Sequence, residues 1–545
     1  MIKVLKNIKY EILVVLFFIL VRLPALGNDG FNTDVWRWKA RTYDFGNGVF
    51  SLKFDRTLQM YHPGVTLMWL GGFGVKFYNL YSDLVYHSEP ALNSMVTVFQ
   101  LDFCQKIFIV IGQAVVIGFA FHVLRKLFGL KYAIITFLLL NFEPFYLALT
   151  RVIHLEGLVS TFMLTSILWF YYYLADKKLL KKLIISGVFA GLSILTKTSA
   201  LFLLPFIALA TFLFFFREEK DIFKAFKISL KPFLLWSLTL VATFFLLWPA
   251  LWVKPGEVFK TLYSGIVDIG VEGDHQQLYF GKLVDNPGPS FYFVVLGLRS
   301  SIYLLIGFIG ALFIRRKLPS YYKNFLDYLL VFVFFYFIQL TLPTKKLDRY
   351  ILPEQVVMML ASSIFFVWLF EKLKFGKIKI LITLIPVFLT ALYLHPDYLS
   401  YYNPVFGGLK TGINVLEPKW LIGVDPLIDY FKNVQKRDGY KTSTDSSFEE
   451  LVYKGYGQEV KKVVTVGFRE KNYSQVWPFF RKFGAWAVVR NLTPFANKTR
   501  YFVYPVWDDD SSLENRFAIK YVEDIKLRGV PVYKVYIRES VNLSD

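Results

Sequence analysis

Residues 12–62 open with an apolar run, ILVVLFFILVRLPAL (Ile12–Leu26), and pass directly into NDGFNTDVWRWKARTYDFGNGVFSLKFDRTLQMYH (Asn28–His62). With its flanks the run is long enough to cross a bilayer. No small-residue cleavage site follows it, so it reads as a retained span rather than a removable signal. The segment behind it is dense in Asp, Arg, aromatic and His residues. A reactive-looking loop therefore stands at the mouth of the first span, and chemistry is expected there.

The rest of the chain agrees with a membrane setting. Of 545 residues, 55% are hydrophobic and 57 are Phe, and the mean hydropathy is +0.44. Soluble domains of this size carry less. The formal net charge of +21 is read as basic cytoplasmic loops meeting anionic lipid, and nucleic acid is set aside as a partner. Cys104 is the sole cysteine, which excludes an intrachain disulfide or a cysteine metal site.

Eleven spans are read at roughly 10–27, 103–122, 132–150, 157–175, 183–198, 200–216, 233–252, 291–314, 325–342, 351–371 and 378–394. Six alternate connections are basic, among them Arg125–Lys131, Arg217–Lys231 and Arg315–Lys323. The positive-inside rule puts these and the N-terminus in the cytoplasm, and the C-terminus outside. Long connections fall on the other side: 28–102, 253–290 and everything after Leu394. Two domains follow, a membrane domain over 1–394 with its first extracytoplasmic loop at 28–102, and an extracytoplasmic α+β domain over 395–545. In the second, LIDYFKNVQ and SFEELVYKG read as helices. KKVVTVGF, TRYFVYPV and VPVYKVYI read as strands.

Ionisable residues in or near spans (Lys106, Glu143, Lys197, Arg299, Asp348, Arg349) gather at outer ends. Such groups are costly in a bilayer and face a cavity or each other. Asp34 reads as a general base or charge stabiliser at the membrane edge, against the plainer reading of a solvated loop carboxylate. It stands near Trp36, Trp38, Arg37 and Arg41. His154 and Glu156, two apart in a turn, face one cavity if the turn is extended; the plainer reading is a short polar connection. Lys197, Arg299, Lys345, Lys346 and Arg349 are the cations placed to meet a phosphate, with interface anchoring and an Asp348–Arg349 ion pair as rivals. His62 and His154 match no strong metal motif, so no metal site or cofactor is assigned, while a divalent metal stays open. Asp274, His275 and Asp285 tip the loop 253–290. Four Asn-X-Ser/Thr triplets begin at Asn472, Asn491, Asn497 and Asn542.

These residues together resemble a known family. The acid after the first span, the His/acid turn after the third, GLSILTKTSALFLLP, LPTKKLDRYILPE and HPDYLSYYNPVFGG are similar to the polytopic GT-C glycosyltransferases. The branch is the prokaryotic relatives of dolichyl-phosphate-mannose protein mannosyltransferases and of the lipid A aminoarabinose transferase. The resemblance spans residues 10 to about 425. It implies a prokaryotic plasma-membrane enzyme. Its donor is a sugar on a polyprenyl or dolichyl monophosphate. Its acceptor is a hydroxyl of a protein, lipid or glycan, and the anomeric carbon inverts. Within it Asp34 matches the first-loop acid, but Val35 stands where many members have Glu. Glu156 matches a position usually held by Asp, Lys197 the family's LTK and Arg349 its DRY. Asp34 and Glu156 are thus the expected catalytic pair. Arg349, Lys197, Arg299 and Lys346 are the expected phosphate ligands, and His154, His62, Trp38 and Arg41 the expected lining. Besides a scaffold or sensor whose working part is 395–545, two rivals stand beside this reading. One is the same fold using a pentose or aminosugar donor on lipid or wall polysaccharide. The other is a non-catalytic flippase or transporter, which predicts helix breaks near the midplane and internal symmetry; the sequence displays neither.

Overall fold

The computed structural model describes residues 8–87, 95–176, 179–267, 276–440, 442, 463–490, 499–508 and 518–538. All eleven apolar runs contain helix. Seven helices among the described residues are long and apolar enough to cross a membrane, or eight if one bent pair counts as a single span. Met95–Asn141 holds two of the expected runs, joined through Gly129 at non-helical angles. Apart from the bent pair, Lys9–Arg22, with 14 residues, and Leu180–Thr196, with 17, fall short of eighteen, as does the part of Met95–Asn141 beyond Gly129. The chain is an integral membrane protein, mostly helical. Helix Leu155–Ala175 lies at its centre and is buried on nearly every face, as expected of a helix apolar all round.

Two expectations need correction. The segment 28–102 is not an open loop. It folds into helices Val35–Phe50 and Val65–Tyr86 before Met95–Asn141 begins. Helix Val65–Tyr86 exposes Phe73, Phe77, Leu80 and Leu84, a stripe at helical spacing suited to lipid. Nor are all spans unbroken. Phe291–Arg299 and Ile302–Lys317 meet at 117°. Ser300 and Ser301 between them are extended. The freed polar groups find protein partners: Glu143 accepts from the Ser301 amide at 2.8 Å and from its hydroxyl. Asn403 Nδ2 donates to the Ser300 carbonyl and Gln355 Nε2 to its hydroxyl, both at 2.9 Å.

One end of the bundle is fixed by a buried ion network. Lys106 lies 2.7 Å from both Asp29 and Asp102, Lys39 lies 2.8 Å from Asp102, and Arg151 lies 3.1 Å from Asp29. Lys106 is thus committed to holding the first connection onto the second run. At the other end of the spans Arg315 and Arg217 pair with Asp327, and Lys131 with Glu371. Helix Leu155–Ala175, of 21 residues, separates the two ends by about 30 Å at 1.5 Å per residue.

Beyond the last span, residues 395–423 lie back against the membrane helices as a strap. Asn403 donates its amide N–H to the Leu298 carbonyl, at 2.7 Å. The domain that follows is α+β. Besides a small hairpin, β1 (Gln277–Tyr279) with β2 (Lys282–Val284), the described residues hold one five-stranded sheet. Its strands are β3 (Thr465–Phe468), β4 (Trp486–Val489), β5 (Tyr501–Pro505), β6 (Ile519–Leu527) and β7 (Val530–Arg538), in the order β4-β3-β5-β7-β6. Strands β3, β4 and β5 run parallel; β7 is antiparallel to β5 and β6. Helix Glu470–Lys482 makes the crossover a parallel pair requires. LIDYFKNVQ lies in helix Val424–Arg437, and the three expected strands appear as β3, β5 and β7. SFEELVYKG, Asp274, His275 and the triplets at Asn491, Asn497 and Asn542 lie outside the described residues. Asn472 is buried at 4% exposure on its helix, which closes it to modification in the folded protein.

The β6–β7 turn docks this domain onto the membrane helices. Arg528 and Gly529 both adopt positive φ, 50° and 81°, as a two-residue hairpin of the primed type demands. At this tip Arg528 donates to the carbonyls of Tyr393 at 3.2 Å and Leu394 at 2.9 Å, and to Ser400 Oγ at 2.6 Å. A guanidinium thus caps the C-terminal end of helix Lys377–Leu394, where the unpaired carbonyls and the dipole favour a cation.

Candidate active site

The groups that meet at this end of the bundle each come from a place where a helix starts or stops. Asp34 holds the N-cap position of helix Val35–Phe50 but does not cap it with its side chain. Its amide donates to Asn32 Oδ1 at 3.0 Å, which turns the carboxylate aside. His154 is the extended residue ahead of helix Leu155–Ala175, and Glu156 lies in that helix's first turn, where the dipole favours an anion. Lys197 is extended between helix Leu180–Thr196 and the short turn Thr198–Phe202. Arg349 belongs to the turn Asp348–Ile351 that leads into helix Leu352–Lys372.

These five side chains converge. His154 Nε2 lies 3.5 Å from Asp34 Oδ2, and His154 Nδ1 is in contact with Glu156. Lys197 Nζ lies 2.9 Å from Glu156 Oε1. Arg349 lies 3.4 Å from Glu156 through Nε and 3.8 Å from Asp34 through Nη2. Aromatic faces close the group. Lys197 sits 3.7 Å over the Tyr350 ring, Arg349 lies 5.3 Å from the Trp420 centroid, and the His154 ring meets Trp420 edge-on at 5.0 Å. Glu156 is 2% exposed and Asp34 31%. Asp34 is therefore the carboxylate an incoming molecule can reach.

Electrostatics sets the protonation. Burial alone would raise the Asp34 carboxyl, but the hydrogen bond and charge of His154, with Arg349, bring it down to about 2. Burial likewise opposes the charged His154, yet the Glu156 charge and the hydrogen bonds to Asp34 and Glu156 raise it above its ordinary 6.5. His62 moves the other way: burial, then the Lys197 charge, push it down to about 3. Its imidazole is neutral, and Nδ1 has no hydrogen-bond partner among the described residues.

The two arginines expected at a phosphate differ sharply. Arg299 gives its Nε to Asp348 at 3.1 Å and its Nη1 to the Leu399 and Tyr401 carbonyls at 2.7 and 3.0 Å. Its Nη2 goes to the Tyr402 hydroxyl at 3.0 Å. It is engaged on every nitrogen and ties the strap to the broken span. Asp348 pairs with Arg299, not with Arg349 as the rival reading expected. The Arg349 amide donates to Asp348 Oδ1 at 2.8 Å, but its guanidinium keeps only contacts longer than 3.2 Å, the upper end of an ordinary N–H···O bond, so its fork is not saturated. Lys346 is turned to Asn286 Oδ1 at 3.3 Å and to the Pro343 carbonyl, away from the five-residue group. His62 reaches the site through its Pro-Gly turn. Gly64 has φ of +58°, and a Cβ there would stand 2.3 Å from the Trp38 ring. Its amide donates to the Thr196 carbonyl at 3.1 Å, beside Lys197. Trp38 is buried beneath this turn, and Arg41 lies 4.8 Å over its ring without an ion pair to Asp34. Among the described residues no group of three His, Cys, Asp or Glu side chains is arranged to hold a metal ion. Trp420 is the residue that sequence reasoning missed; it lies some 70 residues beyond Arg349, and nothing local marks it.

The fold and site thus define a polytopic helical membrane protein with a charged, partly open centre at one end of its spans. Residues 96–248 match the sequence profile of the dolichyl-phosphate-mannose-protein mannosyltransferases, the family whose likeness the ordered motifs carry. No curated protein matches the chain in sequence. Among solved structures it is similar to ArnT from Cupriavidus metallidurans bound to undecaprenyl phosphate, at 12% identity over 98% of this chain and 99% of that one, TM-score 0.48. It is also similar to the Archaeoglobus fulgidus oligosaccharyltransferase in the apo form, at 11% identity over 92% of this chain and 70% of that one, TM-score 0.45. Likenesses this loose carry no residue correspondence.

Proposed function

We propose that the chain is a membrane glycosyltransferase that moves a sugar from a polyprenyl or dolichyl monophosphate to an acceptor hydroxyl outside the cytoplasm, with inversion. The single observation that carries this reading is the meeting of a reachable, ionised Asp34 with an unsaturated Arg349 and with Lys197 in one group. Counting charges, Arg349 and Lys197 balance Asp34 and Glu156, and His154, whose pKa is raised by Glu156 and Asp34, adds a positive charge whenever it is protonated. That charge suits a phosphodiester.

The bond from the anomeric carbon to the phosphate oxygen breaks, and its electron pair leaves with the lipid phosphate. Charge grows on that phosphate in the transition state, and fixed cations in a drier site lower the barrier. The acceptor oxygen bonds to the opposite face of the carbon and gives its proton to Asp34. A phosphate leaving group needs no acid, so one base suffices despite Val35. The geometry adds a coupling: when a phosphate draws Arg349 away, Asp34 loses a cation and becomes a better base. Glu156 fixes His154, Lys197 and Arg349 in place. His62, neutral and unpartnered at Nδ1, accepts a hydroxyl of sugar or acceptor. Arg299 and Lys346 are left out of the phosphate site. In this reading 1–394 is the catalytic domain, the site faces outward, the basic ends face the cytoplasm and 395–545 stands outside.

The test is Asp34→Asn, assayed for sugar transfer from polyprenyl-phosphate mannose and related donors. Loss of about 10²–10⁴-fold in turnover is expected for a missing general base. Turnover near wild type in a folded variant would remove Asp34 from this role.

A further inference from the structure

A cavity of about 260 Å³ lies next to the proposed reaction centre and outside it. Four parts of the chain build it: the first connection, residues 148–152, the strap with the helix start that follows it, and the β6–β7 hairpin tip. Its walls include Asn32, Arg151, Asp397, Trp420, Asp425 and Arg528. Two of these also touch the centre. Asn32 holds the Asp34 amide and donates to the Ile153 carbonyl at 3.3 Å. Trp420 packs on His154 and Arg349.

The wall chemistry is specific. Arg151 gives its Nε to Asp29 and its Nη2 to the Pro24 carbonyl, which leaves Nη1 without a hydrogen-bond partner among the described residues, and Arg528 is tied to the end of the last span. Asp397 accepts the Gly423 amide at 2.5 Å through one oxygen, and Asp425 makes no ion pair among the described residues. Carboxylate oxygens are therefore available, beside one unmatched guanidinium nitrogen of Arg151. Trp420 is 6% exposed, yet its indole N–H has no hydrogen-bond partner among the described residues. A buried donor left unmatched costs stability, and a ligand acceptor at the cavity would satisfy it. Tyr398, with Trp420, adds an aromatic wall.

We infer that this cavity binds a carbohydrate unit of the acceptor, so that the substrate receiving the sugar is a glycan. The inference rests on the glycosyl-transfer reading above. Each sugar hydroxyl both donates and accepts, which matches carboxylates on one wall with the unmatched N–H groups of Arg151 and Trp420. The aromatic faces suit the C–H face of a pyranose. The volume is just below the roughly 300–1,000 Å³ of drug-sized pockets, in keeping with one ring. An anionic headgroup would meet carboxylates here. The C-terminal domain then takes part in acceptor recognition, because its hairpin tip completes the pocket.

The experiment uses the full-length protein in detergent or nanodiscs. Donor consumption is followed with polyprenyl-phosphate mannose, first with water alone, then with neutral disaccharides (mannobiose, chitobiose), then with Ser/Thr peptides. Disaccharides are expected to speed consumption by about tenfold or more over water. Asp397→Asn combined with Asp425→Asn, or Leu527→Trp filling the pocket, should abolish that gain and leave the water reaction unchanged. Acceleration by peptides instead, or acceleration by disaccharides that survives in both variants, overturns the inference. Saturation-transfer NMR with the same disaccharides reads the pocket without turnover. Binding lost in the variants supports it, and no binding to wild type overturns it. Failure of the donor reaction with Asp34 intact sinks the glycosyl-transfer reading instead.

Discussion

Arg349 and Arg299 show how a site separates from a scaffold at the level of single residues. Both precede or end a helix near the same face, and both are cations among carboxylates. Arg299 has a protein partner on every nitrogen, while the Arg349 guanidinium has only long contacts. Replacement by Lys should therefore act differently. R349K keeps the charge but loses the fork, and should lower transfer at least about tenfold with little change in thermal stability. R299K leaves buried carbonyls unmatched and should cost about 2–4 kcal/mol, read as a fall in denaturation midpoint. Equal thermal losses in the two would contradict the division. His154 carries a pH signature. Its pKa is raised in the fold above 6.5, so its charge stabilises fully below 6.5 and is lost as pH rises through the folded value. The thermal stability difference between wild type and His154→Gln should accordingly shrink on the alkaline side of 6.5. A gap that grows with pH would mean the imidazole is held neutral.

Among the elements, the ends of helices do the positioning. Asp34, Glu156, Lys197 and Arg349 each stand at a terminus, where the backbone turns and a side chain is free to leave the helix surface. The turn His62–Gly64 is the most constrained of these junctions. Gly64→Ala would meet a left-handed backbone and the Trp38 ring together, and should destabilise by more than about 1 kcal/mol, with His62 and Lys197 displaced; hydrogen exchange of the Thr196 region is the readout, and unchanged protection would show the turn to be slack. The bend at Ser300–Ser301 is the one feature of a transporter-like span among the described residues. Its polar groups are matched by Glu143, Gln355 and Asn403, so they bind the protein to itself. Asp397, pushed up to about 6 by burial, belongs to the strap rather than to that bend.

For the whole molecule, the hairpin tip is the seam between the membrane helices and the sheet domain. Arg528→Ala removes three donated hydrogen bonds to 393–400. It should raise exchange of those amides and loosen the domain by about 1–3 kcal/mol, while the water reaction with donor persists. Exchange confined to the sheet, with 393–400 unchanged, would place the seam elsewhere.

The membrane class, the helical runs, three of the five strands and the acid at position 34 were legible in the sequence, because bilayer length, period-two alternation and charge at a span's mouth are local signals. Strands β4 and β6 were not, and the second carries Lys and Glu on a largely exposed edge. The helices within 28–102 were hidden by their mixed polarity. Which cations face the centre was decided only in three dimensions. Arg299, Lys346 and Arg349 look alike along the chain, and their difference is a matter of which buried carbonyls and carboxylates each happens to satisfy. Trp420 is the same case from the other side. It reaches His154 only because the strap folds back, and no periodicity within a chain encodes a contact made across 266 residues.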